Sequence, residues 1–145
     1  MSRENVEVVR QVYAAIEQGD RPGFGMQRSD AMEAFITGVA DPAIEWVPFL
    51  VASTEGRRYH GHAGLRQWAR DMEDVWEYLN PELQELHDAG EHVVAVVRFQ
   101  GRGRVSGAEA VEVRGQVWTV ENGTVTRMVA YEDPQQALEA VGLSG

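Results

Sequence analysis

There is no cysteine anywhere in the 145 residues. Disulfides, thiolate nucleophiles and cysteine-ligated metals are thereby excluded. Basic residues are in short supply, with 13 Lys+Arg against 23 Asp+Glu and a formal charge of -10. A chain of this charge is repelled by phosphate backbones and anionic lipid, so nucleic acid and membrane surfaces are poor partners and neither is expected. No apolar run approaches the roughly 18 residues of a membrane span. The opening Met1-Ser2-Arg3-Glu4-Asn5 is polar as well, and a cytoplasmic protein is expected. Internal repeats and low-complexity segments are also lacking. What is present is ordinary for a globular protein: 43% hydrophobic and 25% charged residues. A chain of this length forms one domain, 1–145, and buries about 68–70% of the surface its unfolded form exposes.

The stretch from His92 to Tyr131 carries most of the β-branched residues and reads as the sheet. Val93, Val94, Val96 and Val97 begin it, Val111 to Val120 continue it, and Val125 to Tyr131 close it. Asn122-Gly123 is a hairpin signal between the last two strands, because a type I′ turn needs positive φ at both central residues. Ahead of the sheet, Ser2 is a candidate N-cap, and Val6, Val9, Tyr13 and Ile16 recur at helical spacing until Gly19-Asp20. Asp30 can cap a second helix through Met32, Phe35, Ile36 and Val39, which Asp41-Pro42 breaks. The glycine-flanked Phe24, with Met26, lies in the stretch Arg21 to Ser29 and suggests a lid. Ile44, Trp46 and Pro48 predict a short, edge-like strand. From His62 to Leu79 the apolar positions Leu65, Trp68, Met72, Val75, Trp76 and Leu79 predict the clearest helix, ended by Asn80-Pro81. A strand through Leu83 and Leu86 follows. Gly101, Gly103 and Gly107 read as a hairpin tip or bulge, since no helix with a Lys-Ser/Thr start follows as a phosphate loop requires. Asp133-Pro134-Gln135-Gln136 opens a last short helix.

The segments Val9 to Asp20, Asp41 to Trp46, Tyr59-His60-Gly61-His62-Ala63-Gly64-Leu65, Glu121 to Arg127 and Tyr131-Glu132-Asp133 together resemble the SnoaL-like branch of the nuclear transport factor 2 superfamily. The resemblance runs nearly end to end. It implies an α+β fold in which a cone-shaped, strongly curved mixed β-sheet wraps around N-terminal helices and leaves an apolar pocket at one end. Such proteins include steroid isomerases, polyketide cyclases, epoxide hydrolases, dehydratases and catalytically silent binding proteins, so activity has to be argued from the site.

Asp133 occupies the position of the acid or base that the resembled cyclases and epoxide hydrolases carry after the last strand. The same residue, followed by Pro and then by Gln at the third helical position, is also what a helix start requires. The two readings pull its pKa in opposite directions: a cap is stabilised as the anion, whereas a buried base is raised. Arg98 stands as an oxyanion-stabilising candidate, with Gln100 sharing its strand face. A neutral amide at Gln100 cannot protonate an epoxide, and Val47 precedes Pro48 where the resembled steroid isomerases hold their Asp, so both of those activities are disfavoured. Tyr13 lies near the helix-one tyrosine of those isomerases, displaced by one residue. Trp46, Trp68 and Trp118 are core aromatics that line a cavity in such a fold and suit a planar apolar ligand. Tyr59, His60 and Tyr131 complete the candidate pocket. His60 and His62 are too few ligands for a metal, and neither metal nor cofactor is expected. Two functions from different classes follow. One is a small cofactor-independent enzyme doing proton transfer, cyclisation or hydration on a hydrophobic, cyclic small molecule, with Asp133 and Arg98 acting in the pocket. The other is a non-catalytic binding or assembly module. Whether Asp133 and Arg98 share a cavity, or Asp133 points back onto its own helix, discriminates the two. A sheet with one face covered by helices leaves the other exposed, and a homodimer is expected.

Overall fold

The structure, a computed structural model, describes residues 2–17, 29–48 and 58–143. The expected lid residues Phe24 and Met26 lie outside the described residues. Helix α1 (Ser2–Glu17) presents Val9, Val12, Tyr13 and Ile16 on one stripe and leaves Arg10 and Gln11 in solvent. Helix α2 (Ser29–Gly38) buries Met32, Phe35 and Ile36 in the same way. The strands are β1 (Ala40–Val47), β2 (Tyr59–His60), β3 (Trp76–Ala89), β4 (His92–Gly103), β5 (Glu109–Glu121) and β6 (Thr124–Tyr131). Helix α3 (Gly61–Val75) separates β2 from β3, and α4 (Pro134–Ala140) follows β6. No helix among the described residues is long and apolar enough to cross a membrane.

The six strands form one sheet in the order β2-β1-β6-β5-β4-β3. Strand β1 runs parallel to β6 and the other neighbours are antiparallel, so the sheet is mixed. The fold is the α+β arrangement that the sequence implies. At the β5–β6 turn Asn122 and Gly123 take φ of 53° and 78°, the pair of positive values a type I′ turn demands. Alternation then sorts each strand into two faces. Val93, Ala95, Val97 and Phe99 of β4, with Trp118 and Val120 of β5 and Met128 and Ala130 of β6, face the helices and form the main core. Among the described residues only α4 packs on the outer face, setting Ala137 against Val94 and Val117. It comes so close over Gly115 that a Cβ at that position would lie 2.6 Å from the Ala137 Cβ and 2.9 Å from the Pro134 Cα.

Three boundaries differ from the sequence reading. The helix expected to reach Leu79 ends at Val75, and Trp76 and Leu79 belong to β3. Val75, Trp76 and Leu79 satisfy helical spacing, yet pairing of Trp76 with Gly103 and of Leu79 with Gly101 extends β4 and overrides that local preference. Pro81 ends no helix. It sits inside β3 opposite Phe99, on the edge strand of the described sheet, where proline is tolerated. Strand β1 begins before Pro42 at Ala40, and the proline falls in an irregular stretch between the paired residues Ala40 and Glu45. There the Asp41 carboxylate accepts the Ala43 N–H at 2.8 Å.

Candidate functional site

Between the helices and the inner face of the sheet lies a half-open cavity holding about 450 Å³ of empty space, part of it continuous with solvent. Helix α1 contributes Tyr13 and Ile16, β1 and its end Trp46 and Pro48, and α3 Trp68. Leu79 and Pro81 of β3, Phe99 of β4, Gln116 and Trp118 of β5 and Met128 of β6 close the wall. The aromatic rings hold one another in place by edge contacts. Trp46 meets Trp118 at 5.6 Å and 77° between planes, and Tyr13 meets Trp118 at 5.8 Å and 76°. Trp68 stands tilted against Trp46 at 5.1 Å. Such pairs add about 0.5–1.5 kcal/mol each beyond their buried area, so the wall is rigid on the scale of a bound molecule.

One polar chain crosses this apolar wall. The Trp118 indole N–H donates to the Tyr13 hydroxyl at 3.3 Å, and that hydroxyl donates to the Gln116 Oε1. An indole can only donate, so the phenol oxygen must accept there and its proton goes on to the amide. Burial raises the Tyr13 phenol far above its ordinary value, with the Trp118 hydrogen bond opposing weakly. Tyr13 is therefore neutral throughout the physiological range. Among the described lining residues there is no carboxylate, imidazole, lysine or arginine. The indole nitrogens of Trp46 and Trp68 are buried and make no hydrogen bond.

The structure brings together some of the sequence-expected site residues and separates the others. Tyr13, Trp46, Trp68 and Trp118 stand in the cavity wall. Asp133 does not. It is the exposed N-cap of α4, its carboxylate accepting the Gln135 N–H at 2.8 Å while the Gln136 side chain accepts the Asp133 N–H at 3.2 Å, a complete capping box. Arg98 and Gln100 share a face as alternation requires, but it is the outer one, because their neighbours Val97 and Phe99 occupy the core. Strand register thus sets Arg98 on the face of the sheet away from the cavity. Tyr131 also faces outward, packed on the small cluster under α4. Tyr59 is buried outside the cavity wall and donates its hydroxyl to Asp71 at 2.6 Å, and His60 is exposed at the start of α3. His62 reaches the Ala40 carbonyl at 3.0 Å. No group of three metal-ligating side chains occurs among the described residues.

The residue that sequence reasoning missed is Gln116, 7% exposed. The signal was the alternation Glu112, Arg114, Gln116, Trp118, Val120, which puts polar residues in register with a core tryptophan on the inner face. Arg114 on that row donates to the Glu132 carbonyl at 3.2 Å and is paired with Glu112, which spends its charge outside the cavity wall.

This arrangement of helices on a mixed sheet recurs in solved structures. An NTF2-like protein of unknown function from Burkholderia pseudomallei aligns over 96% of this chain and 98% of its own, with 19% identity and a TM-score of 0.71. The chain has the nuclear transport factor 2-like fold. TerC, solved with polyporic acid, shares this NTF2-like fold at 23% identity and a TM-score of 0.70, covering 95% of this chain and 98% of TerC. A protein with a ketosteroid isomerase-like fold from Catenulispora acidiphila, solved with trimethylamine, aligns over 94% of this chain and 93% of its own at 16% identity and a TM-score of 0.66. No protein-family model and no curated protein matches the sequence.

Proposed function

We propose that this protein binds a neutral, flat, largely apolar small molecule in the cavity walled by Tyr13, Trp46, Trp68, Phe99 and Trp118, and does so as a binding module. The composition of the wall carries the reading: five aromatic rings and one neutral polar pair, with no group among the described lining residues that exchanges a proton near pH 7. A charged ligand would surrender its hydration without a compensating charge in the wall, which costs several kcal/mol or more. Catalysis by Asp133 and Arg98 draws no support from their placement, since one caps a helix and the other lies across the sheet. TerC with polyporic acid and the Catenulispora protein with trimethylamine support ligand binding as a use of this fold.

The test is a tryptophan-fluorescence titration at pH 7.5 with 9-fluorenone and with fluorene-9-carboxylate. Quenching by the neutral compound at one per chain, at least tenfold tighter than by the anion and weakened by Trp46→Leu, is the expected result. Tighter binding of the anion would overturn the reading. We further infer a homodimer formed through the outer sheet face, supported by Val111 and Val113 being 53% and 42% exposed there beyond the reach of α4. Sedimentation showing a monomer at micromolar concentration would contradict it.

A further inference from the structure

The polar chain across the cavity wall has a direction, and the direction leaves a surplus. Trp118 N–H donates to Tyr13, Tyr13 O–H donates to Gln116 Oε1, and the Gln116 amide is thereby fixed with its oxygen turned to the phenol. If the amide were flipped, the Tyr13 proton would meet a second donor and lose its acceptor. The NH2 end of Gln116 then has no partner among the described residues, although the side chain is 93% buried, the complement of its 7% exposure, and lines the cavity. The other polar groups without partners in the same wall, the indole N–H groups of Trp46 and Trp68, are donors too. Pro48 and Pro81 add no N–H of their own. The two indole nitrogens are fully enclosed, so of these donors the Gln116 amide is the one a ligand strips of water, and it selects against ligands that offer no acceptor in return.

We propose that the Gln116 amide is the specificity-determining donor of the cavity, selecting cyclic ketone- or quinone-type carbonyl compounds over hydrocarbons of the same shape, with Tyr13 as the positioning residue that holds the amide in its donating orientation. This rests on the binding reading above. The carbonyl oxygen of the ligand accepts the Gln116 N–H, and the ring system lies among the tryptophans. A ketone fits better than the corresponding alcohol, because the alcohol brings a donor of its own to a wall whose amide oxygen is already engaged. Tyr13 does not touch the ligand's oxygen in this arrangement. Its part is to fix which end of the amide the ligand meets.

The probes are 9-fluorenone, 9-fluorenol and fluorene, which share one flat skeleton and differ at one carbon. Tryptophan quenching is measured for the unaltered protein, Gln116→Met and Tyr13→Phe, each first shown by circular dichroism to be folded. The unaltered protein should bind fluorenone about tenfold more tightly than fluorene, the ratio expected of one satisfied hydrogen bond to a buried donor. In Gln116→Met that ratio should fall to within about twofold through loss of fluorenone affinity, with fluorene unchanged. Tyr13→Phe frees the amide to turn and should bring fluorenol level with fluorenone, which simple loss of packing would not do. The infrared carbonyl stretch of fluorenone bound to the unaltered protein should lie below its value in alkane solvent, and this readout needs no variant. Equal binding of all three probes by the unaltered protein would overturn the Gln116 assignment while leaving the pocket reading intact. Absence of binding by all three would overturn both. A tenfold preference that survives in Gln116→Met would also sink the assignment.

Discussion

Replacing Asp133 with alanine removes the carboxylate that holds the Gln135 N–H at 2.8 Å and breaks the capping box shared with Gln136. Loss of such a cap costs about 1 kcal/mol, within a range of roughly 0.5–2. Helix α4 has seven residues, and its chief burial is Ala137 against Val94 and Val117, so the damage is confined to the outer side of the sheet. For a chain of this size the expected fall in Tm is about 3–4 °C. Asparagine keeps an acceptor oxygen in the same place, and Asp133→Asn should cost only a few tenths of a kcal/mol by the near-equality of the two residues as caps. Neither substitution should move the affinity for 9-fluorenone, because α4 and the cavity lie on opposite faces of the sheet. Thermal melts and fluorescence titrations of both variants, run beside the unaltered protein, check each part. A tenfold loss of ligand affinity in Asp133→Asn with an unchanged Tm would refute the assignment of Asp133 as a cap alone.

Gly115→Ala should destabilise the chain by about 1–3 kcal/mol in urea unfolding, because the new methyl overpacks against the Ala137 Cβ and the Pro134 Cα. The pH dependence of stability should carry a Tyr13 contribution at the alkaline end. Burial raises this phenol above its unfolded value of about 10, so its contribution is complete below about pH 10 and is lost as pH climbs toward the raised folded value. Urea unfolding at pH 9 and pH 11 should show a drop in the unaltered protein that is smaller in Tyr13→Phe. An equal drop in both would place the alkaline sensitivity elsewhere.

The fold was legible where local chemistry and tertiary pairing agree. Asn122-Gly123 marks its own hairpin, the valine runs of β4 to β6 have no competing period, and Val9, Val12, Tyr13 and Ile16 define one stripe of α1. It was illegible where two periods overlap. Trp76 and Leu79 extend the helical pattern of α3 and also suit the edge strand they occupy, and only the partner β4 decides between them. The site shows the same division. Large aromatics such as Trp46, Trp68 and Trp118 have to be buried, and a fold with a central cavity sets some of them in its wall. Arg98 and Gln100 were correctly placed on one face, but alternation does not say which face meets the helices. Asp133 carried two meanings in sequence, separated only by seeing where its carboxylate points. Gln116 was hidden among valines, and its significance depends on Tyr13, 103 residues away in the chain.

The four tryptophan indole N–H resonances in a ¹H–¹⁵N spectrum test the central claim most directly, since Trp46, Trp68 and Trp118 line the cavity and Trp76 does not. Titration with 9-fluorenone is predicted to shift the three cavity resonances together, saturating at one ligand per chain, while Trp76 moves least. Shifts confined to Trp76, or no shift in any indole at saturating fluorenone, would contradict the account.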